Sequence, residues 1–330
     1  MIRTTSSGVH DSDAHDGNAR HGRASSARAE ARMERHRLPD GRRVGVHTVA
    51  RAPDGACTVV FCHPAPGSGD FDPDPVETMR HGVNLVAVDR PGYGASDPVE
   101  GDAWAGVDTA ADDLAHVLEA RGARSVGVVG WSAGGRVALA LAARRPDLVD
   151  RVVVIGTPAP HEEVPWVPEE HVEAMAALRD AAPEAVHAIL IGQFAPMIPA
   201  DPAAPEALEL LGAGPHDTRA LAFPGARARL GAMLESAFAQ GGVGLAQDLA
   251  GSLLRPWGFD PAQVRAPTLL LYGARDPVAG PAHALWWERS LPDARAEIVA
   301  DAGHFLIVPT WRLALAHLAP SPSGDGDRLA

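Results

Sequence analysis

The sequence predicts an α/β protein: a mostly parallel eight-stranded sheet flanked by helices, with a helical cap inserted after strand 6. Three observations predict it. Six runs, "CTVVFCH" (57–63), "VNLVAVDR" (83–90), "SVGVVG" (125–130), "VVVIG" (152–156), "TLLLYG" (268–273) and "AEIVA" (296–300), have the unbroken hydrophobicity of strands buried on both faces. Helical stretches at 105–121, 133–145, 280–290 and 310–318 separate most of these runs, and strand, helix, strand repeated along a chain makes a parallel sheet. The rhythm breaks once, between residues 156 and 268, where the chain turns rich in Ala, Pro, Met and Trp with helical patterning.

The elements follow in order. Residues 1–32 are rich in Ser, Gly, His, Asp and Arg and hold no apolar run, so they read as a disordered tail without a signal peptide or membrane span. Its histidines His10, His15 and His21 read as solvated polar residues rather than metal ligands. "HRLPDGRRVGVHTVA" (36–50) is a hairpin around a Pro-Asp-Gly turn and supplies the first two strands. Residues 33–156 and 266–318 then form the core, 157–265 the cap, and 319–330 a second polar tail. In "DPDPVETM" the three aspartates Asp70, Asp72 and Asp74 compete between a cation site and a helix start. Asp74 as N-cap, Pro75 at the first helical position and Glu77 at capping-box spacing favour the helix start.

Composition narrows the function. The net charge is −13 and no basic run occurs, which argues against nucleic acid or an anionic membrane as partner. There is no lysine, so all 29 basic residues are arginine; Schiff-base chemistry on pyridoxal phosphate and a P-loop lysine are both excluded. Cys57 and Cys62 fall in one predicted strand, ~16 Å apart at ~3.3 Å per residue, too far to bond. Both read as small core residues of a reducing, cytoplasmic compartment. No H-E-x-x-H or paired C-x-x-C appears, so a catalytic zinc is not expected.

The chemistry gathers at "VGVVGWSAGGRVALALAARRP" (126–146). Ser132 sits where a buried strand meets a helix, with Gly130 two residues before it, Trp131 beside it and Gly134 two residues after. A tight turn there presents the hydroxyl in a strained conformation, and a Cβ at either glycine crowds the neighbouring backbone. A Ser N-cap leaves both glycines unexplained, and the dinucleotide fingerprint G-x-G-x-x-G is not matched. A serine hydroxyl needs a base and an acid to orient that base. Asp276 lies just past the strand "TLLLYG", and His304 lies four residues beyond "AEIVA" behind Gly303, both at carboxyl ends of strands where Ser132 also lies. Asp248 and Glu163 in the cap, and Asp301 beside the histidine, are weaker candidates for the acid. For the oxyanion hole, the N–H of Ala133 opens the helix. In "HPAP" only Ala65 has an N–H after the histidine, since Pro64 and Pro66 have none. The Ala65–Pro66 bond is a candidate for the cis form, and His63 reads as a residue that stabilises the loop.

With "HPAPGSG", "VDRPGYGASD", "GWSAGG", "YGARDPV" and "AGHFL" in order, the chain resembles the α/β-hydrolase superfamily over about residues 36–318. The resemblance implies the α/β-hydrolase fold and Ser132 as nucleophile, Asp276 as acid and His304 as base. It also implies Ala65 with Ala133 as oxyanion hole, and no catalytic role for "DRPGYGASD". His63-Pro64 stands where such proteins carry His-Gly. The serine separates the chain from branches with an aspartate nucleophile, the epoxide hydrolases and haloalkane dehalogenases. "LLRPWGFDPAQVRAPTLLLYG" is similar to the cap-to-core junction of bacterial members, in which Trp257 and Phe259 are packing anchors. The expectation is a cytoplasmic carboxylesterase acting on a small-molecule ester through an acyl-enzyme, with no cofactor; a homodimer stays open. Two alternatives accompany it. An aminopeptidase similar to proline iminopeptidases would use the acidic, aromatic segment "HEEVPWVPEEHVE" to hold an amine. A non-hydrolysing receptor would keep the pocket and lose turnover.

Overall fold

The computed structural model describes residues 32–202 and 204–320, so the histidines of the N-terminal tail and the last ten residues lie outside it. Eight strands form one sheet: β1 (Arg32–Arg37), β2 (Arg43–Ala50), β3 (Thr58–Cys62), β4 (Asn84–Val88), β5 (Val126–Trp131), β6 (Val149–Ile155), β7 (Thr268–Gly273) and β8 (Ala294–Val299). Their spatial order is β1-β2-β4-β3-β5-β6-β7-β8. The β1–β2 hairpin pairs antiparallel with itself and with β4, and every other pairing is parallel. Crossovers between parallel strands need helices, and these supply the two outer layers.

Helices α1 (Pro75–His81), α2 (Val107–Ala120) and α3 (Ala133–Arg144) precede the cap, and α9 (Pro281–Ser290) and α10 (Ile307–Leu318) follow it. Along β3, Val60 and Cys62 pack with α2, α3 and α9, whereas Val59 and Phe61 pack with α10, the period-two alternation of a strand buried on both sides. Helix α2 buries Val107, Ala110, Ala111, Leu114, Ala115 and Leu118, the single face that 3.6-residue periodicity selects. Helix α1 starts at Asp74, whose carboxylate accepts from the N–H groups of Val76 (3.0 Å) and Glu77 (3.3 Å). The reciprocal half of the expected capping box is not made: the Asp74 N–H donates to Asp72 (3.1 Å), and Glu77 pairs with Arg80.

Between β6 and β7 the chain forms the cap: α4 (Glu169–Leu178), α5 (Pro183–Phe194), α6 (Thr218–Leu221), α7 (Ala226–Ala237) and α8 (Val243–Leu254). Helices α5 and α8 bury Val186, Leu190, Ala246, Ala250 and Leu254 together as a small core of their own. Helix α7 instead sends Leu230, Met233 and Leu234 into the core on the α10 side of the sheet, which seats the cap over the strand ends.

Two expectations are corrected. The run "AEIVA" does not lie buried on both faces: β8 is the last strand in the order, with one neighbour, and Ile298 is 41% exposed. Cys57 is exposed because it precedes β3, so only Cys62 is a core residue; burial pushes the Cys62 thiol up to about 12.

Candidate active site

Ser132 joins β5 to α3 with φ 54° and ψ −125°, a region a side chain enters only under constraint, at a cost of about 1–3 kcal/mol. Its backbone is pinned on both sides. The Ser132 N–H donates to the Ile155 carbonyl (2.8 Å), and the Thr157 hydroxyl donates to the Ser132 carbonyl (2.8 Å). Space around the corner is exhausted. A Cβ on Gly130 would stand 2.4 Å from the Gly134 oxygen, and one on Gly134 would stand 2.0 Å from the Cys62 oxygen. At Gly135, which no local spacing singles out, a Cβ would stand closer still, 1.9 Å from the Thr157 hydroxyl.

Asp276 follows β7 in a turn that uses one carboxylate oxygen to accept the N–H groups of Val278 (2.8 Å) and Ala279 (3.0 Å). The other oxygen faces Nδ1 of His304 at 2.8 Å, and both side chains are buried. A carboxylate at Nδ1 selects the tautomer that keeps its proton there and leaves the Nε2 lone pair free. Among the described residues Nε2 has no hydrogen-bond partner. The loop bearing His304 is anchored twice. Trp131 Nε1 donates to the His304 carbonyl (3.0 Å), and Asp217 accepts from the N–H groups of Phe305 (2.7 Å) and Gly214 (2.8 Å). Histidine and aspartate meet beside Gly156, the residue after the one bonded to the Ser132 backbone: a Cβ there would lie 3.1 Å from Asp276 Oδ2 and 3.3 Å from His304 Nδ1.

The loop after β3 completes the site. Ala65 carries an N–H between Pro64 and Pro66, and the Ala65–Pro66 bond is cis. Among the described residues the Ala65 and Ala133 N–H groups donate to no acceptor. His63 is fully buried; its Nδ1 donates to the Pro64 carbonyl (2.8 Å) and its Nε2 accepts the Arg90 N–H (3.1 Å), a pattern that requires a neutral ring. Burial, seconded by the Arg90 charge, pushes the His63 pKa well below that of a free imidazole. The Arg90 guanidinium donates to the carbonyls of His63 and Pro64, the latter at 2.8 Å, and to Asp248 of α8 at 2.6 Å. Tyr93 donates to the same carboxylate (3.2 Å), so one buried cluster ties the loop to the cap.

The family model described as α/β hydrolase fold matches residues 58–309. The chain belongs to the α/β hydrolase fold family. This α/β hydrolase is 30% identical over 274 residues to a pimeloyl-[acyl-carrier protein] methyl ester esterase of Chromobacterium violaceum, covering 78% of this chain and 90% of that one. A protein of the same name from Nitrosomonas europaea is 28% identical over 275 residues, covering 81% and 95%. Among solved structures, the esterase RhEst1 from Rhodococcus sp. ECU1013 superposes with a TM-score of 0.58 at 20% identity, covering 87% of this chain and 99% of that one. The α/β hydrolase described here is an enzyme of the esterase type. No described helix is long and apolar enough to cross a membrane.

Of the other residues weighed in the sequence, Asp248 pairs with Arg90 rather than with a histidine, and Asp301 occupies a turn at φ 56°. Glu163 accepts from Trp286 Nε1 (3.4 Å). Asp70 receives hydrogen bonds from Ser68 and Ser236, and Asp72 from Thr78 (2.7 Å). Trp257 and Phe259 stack on each other with centroids 6.3 Å apart. Arg90, Asp217 and Gly135 were not legible as parts of the site. Each acts through a partner far away in the chain, and no local spacing announces such a contact.

Proposed function

We propose that the enzyme hydrolyses carboxylic esters through an acyl-enzyme, with Ser132 as nucleophile, His304 as general base and acid, and Asp276 holding the imidazole tautomer. Ser132 Oγ attacks the ester carbonyl carbon while His304 Nε2 takes its proton. The oxyanion receives the N–H groups of Ala65 and Ala133, and the helix α3 terminus favours negative charge there. His304 returns the proton to the leaving alkoxide as the C–O bond breaks. Water, deprotonated by the same ring, then releases the acid and restores the serine. No step calls on a cofactor. The observation that carries the reading is the 2.8 Å contact between Asp276 and Nδ1 of a buried His304, together with a serine held at positive φ at the end of β5. The esterase relatives support it, and the methyl ester in their name favours small alkyl leaving groups.

A fluorophosphonate probe tests it. Wild type is expected to label and Ser132→Ala not to label, with kcat on p-nitrophenyl esters falling on the order of 10⁴-fold or more in Ser132→Ala. Equal labelling of a folded Ser132→Ala protein overturns the assignment. Amino-acid anilides in the same panel separate esterase from aminopeptidase.

A further inference from the structure

Arg136 lies on α3, four residues beyond Ser132, one helical turn or about 6 Å along the axis. It is 3% exposed, yet among the described residues no carboxylate stands within ion-pairing distance. Its Nε donates to the Pro158 carbonyl (3.3 Å), next to Thr157, which holds the Ser132 backbone. The guanidinium carbon sits 4.6 Å from the Trp257 ring centroid and 5.3 Å from that of Trp166, and among the described residues its two Nη atoms have no hydrogen-bond partner. A buried cation without a direct partner is expensive; Asp248 acts on it only from beyond ion-pairing distance, and cation–π contacts recover only part of its lost hydration. Burial pushes the Arg136 pKa down to about 10.

The surroundings repeat the signal. Arg136, Trp166 and Trp257 line a cleft of about 350 Å³ together with Arg179 and Arg255. Neither of these two arginines forms an ion pair among the described residues, although acidic residues outnumber basic ones by 42 to 29 in the chain. Glu162, exposed on the rim, pairs with none of the three. Trp166 and Leu253 are shared with a second groove of about 480 Å³, whose other walls include Met175, Leu190 and Phe194. A cationic cleft and an apolar groove thus meet at one tryptophan.

We propose that the cleft of Arg136, Arg179 and Arg255 is an oxyanion subsite that takes the remote carboxylate or phosphate of an amphipathic ester whose apolar chain lies in the adjoining groove. The proposal rests on the esterase reading for its role in specificity, but the binding site itself does not. A planar guanidinium with free Nη donors matches the two oxygens of a carboxylate or phosphate, and the ligand would supply the direct contact that no described carboxylate makes.

Binding is measured first on Ser132→Ala protein, by calorimetry and tryptophan fluorescence, with adipate and with inorganic phosphate. Saturable binding of either, weakened at least tenfold by Arg136→Met, is the expected result, and the tighter anion identifies the group. Because Arg136→Met disturbs a buried position, the rim double variant Arg179→Gln/Arg255→Gln is expected to weaken the same binding. For the substrate, kcat/KM for monomethyl adipate relative to methyl hexanoate should exceed one in wild type and fall at least tenfold in either variant. No binding of either anion, or binding unchanged in both folded variants, overturns the proposal. Anion binding without hydrolysis of any ester would leave the subsite standing and remove the esterase reading.

Discussion

The Ser132 corner and the Ala65 loop stand at the carboxyl ends of neighbouring strands, β5 and β3, yet they are held by different physics. The corner is fixed by crowding. Three glycines let the β5 backbone, the start of α3 and the Cys62 carbonyl approach closely, and no charge is involved. The loop is fixed by hydrogen bonds from buried ionisable groups, His63 and Arg90, and through Arg90 it depends on Asp248 in the cap. A steric brace responds to a single methyl group and ignores pH. A charged brace tolerates shape changes better but answers to protonation and to the cap's position.

That contrast can be broken from either side. The largest effect is expected from Gly134→Ala, whose Cβ would meet the Cys62 oxygen at 2.0 Å and the His63 oxygen at 2.6 Å, both main chain. Backbone cannot yield cheaply, so thermal melts should show loss of the fold or fluorophosphonate labelling should vanish; a stable variant that labels normally would refute the crowding account. Next comes Asp248→Ala, which leaves Arg90 buried without its partner and should cost about 3 kcal/mol by urea unfolding. Asp248→Asn, which keeps an acceptor for Tyr93, should cost less, and equal losses would show that the charge alone, and not the acceptor, holds the brace.

The third effect is a pH slope. His63 is held neutral in the folded protein, its pKa below the free value of about 6.5, so below that pH the unfolded chain binds a proton that the folded one does not. Stability should then fall with acid by up to about 1.4 kcal/mol per pH unit. The ring of His47, whose pKa rises beside Asp89 despite burial, works in the opposite sense, so the difference between wild type and His63→Asn isolates the contribution. Identical slopes in the two would exclude it.

The smallest effect has the other sign. Burial raises Asp72, on the same loop, to about 6, so the folded protein holds a proton that the unfolded chain loses from about pH 4, and stability drops as pH rises through that window. Asp72→Asn keeps an acceptor for Thr78 and should raise stability near pH 7 by about 1 kcal/mol, with no gain at pH 4. A gain that persists at pH 4 would point to packing instead.

Legibility in the sequence followed the same division. Ser132, Gly130 and Gly134 stood out because a strand, a turn and a helix are consecutive, so their constraints are written within a few residues. Asp276 and His304 stood out because each follows its own strand at a short, fixed interval. The exposure of β8 was not readable, since an edge strand differs from a central one only in who its neighbours are. Cys57 was misplaced because it lies immediately before β3, one position outside the strand.

By itself the sequence determined the eight strands, the insertion after the sixth, and the positions where a serine, an aspartate and a histidine fall at strand ends, because hydrophobic period and turn chemistry are local. Only the tertiary structure decided that Arg90 reaches from the core to Asp248, that Asp217 steadies the His304 loop, and that Arg136 is left between two tryptophans with no carboxylate paired to it among the described residues. Those contacts join residues far apart in the chain, and burial with a partner or without one exists only once the cap has closed on the sheet.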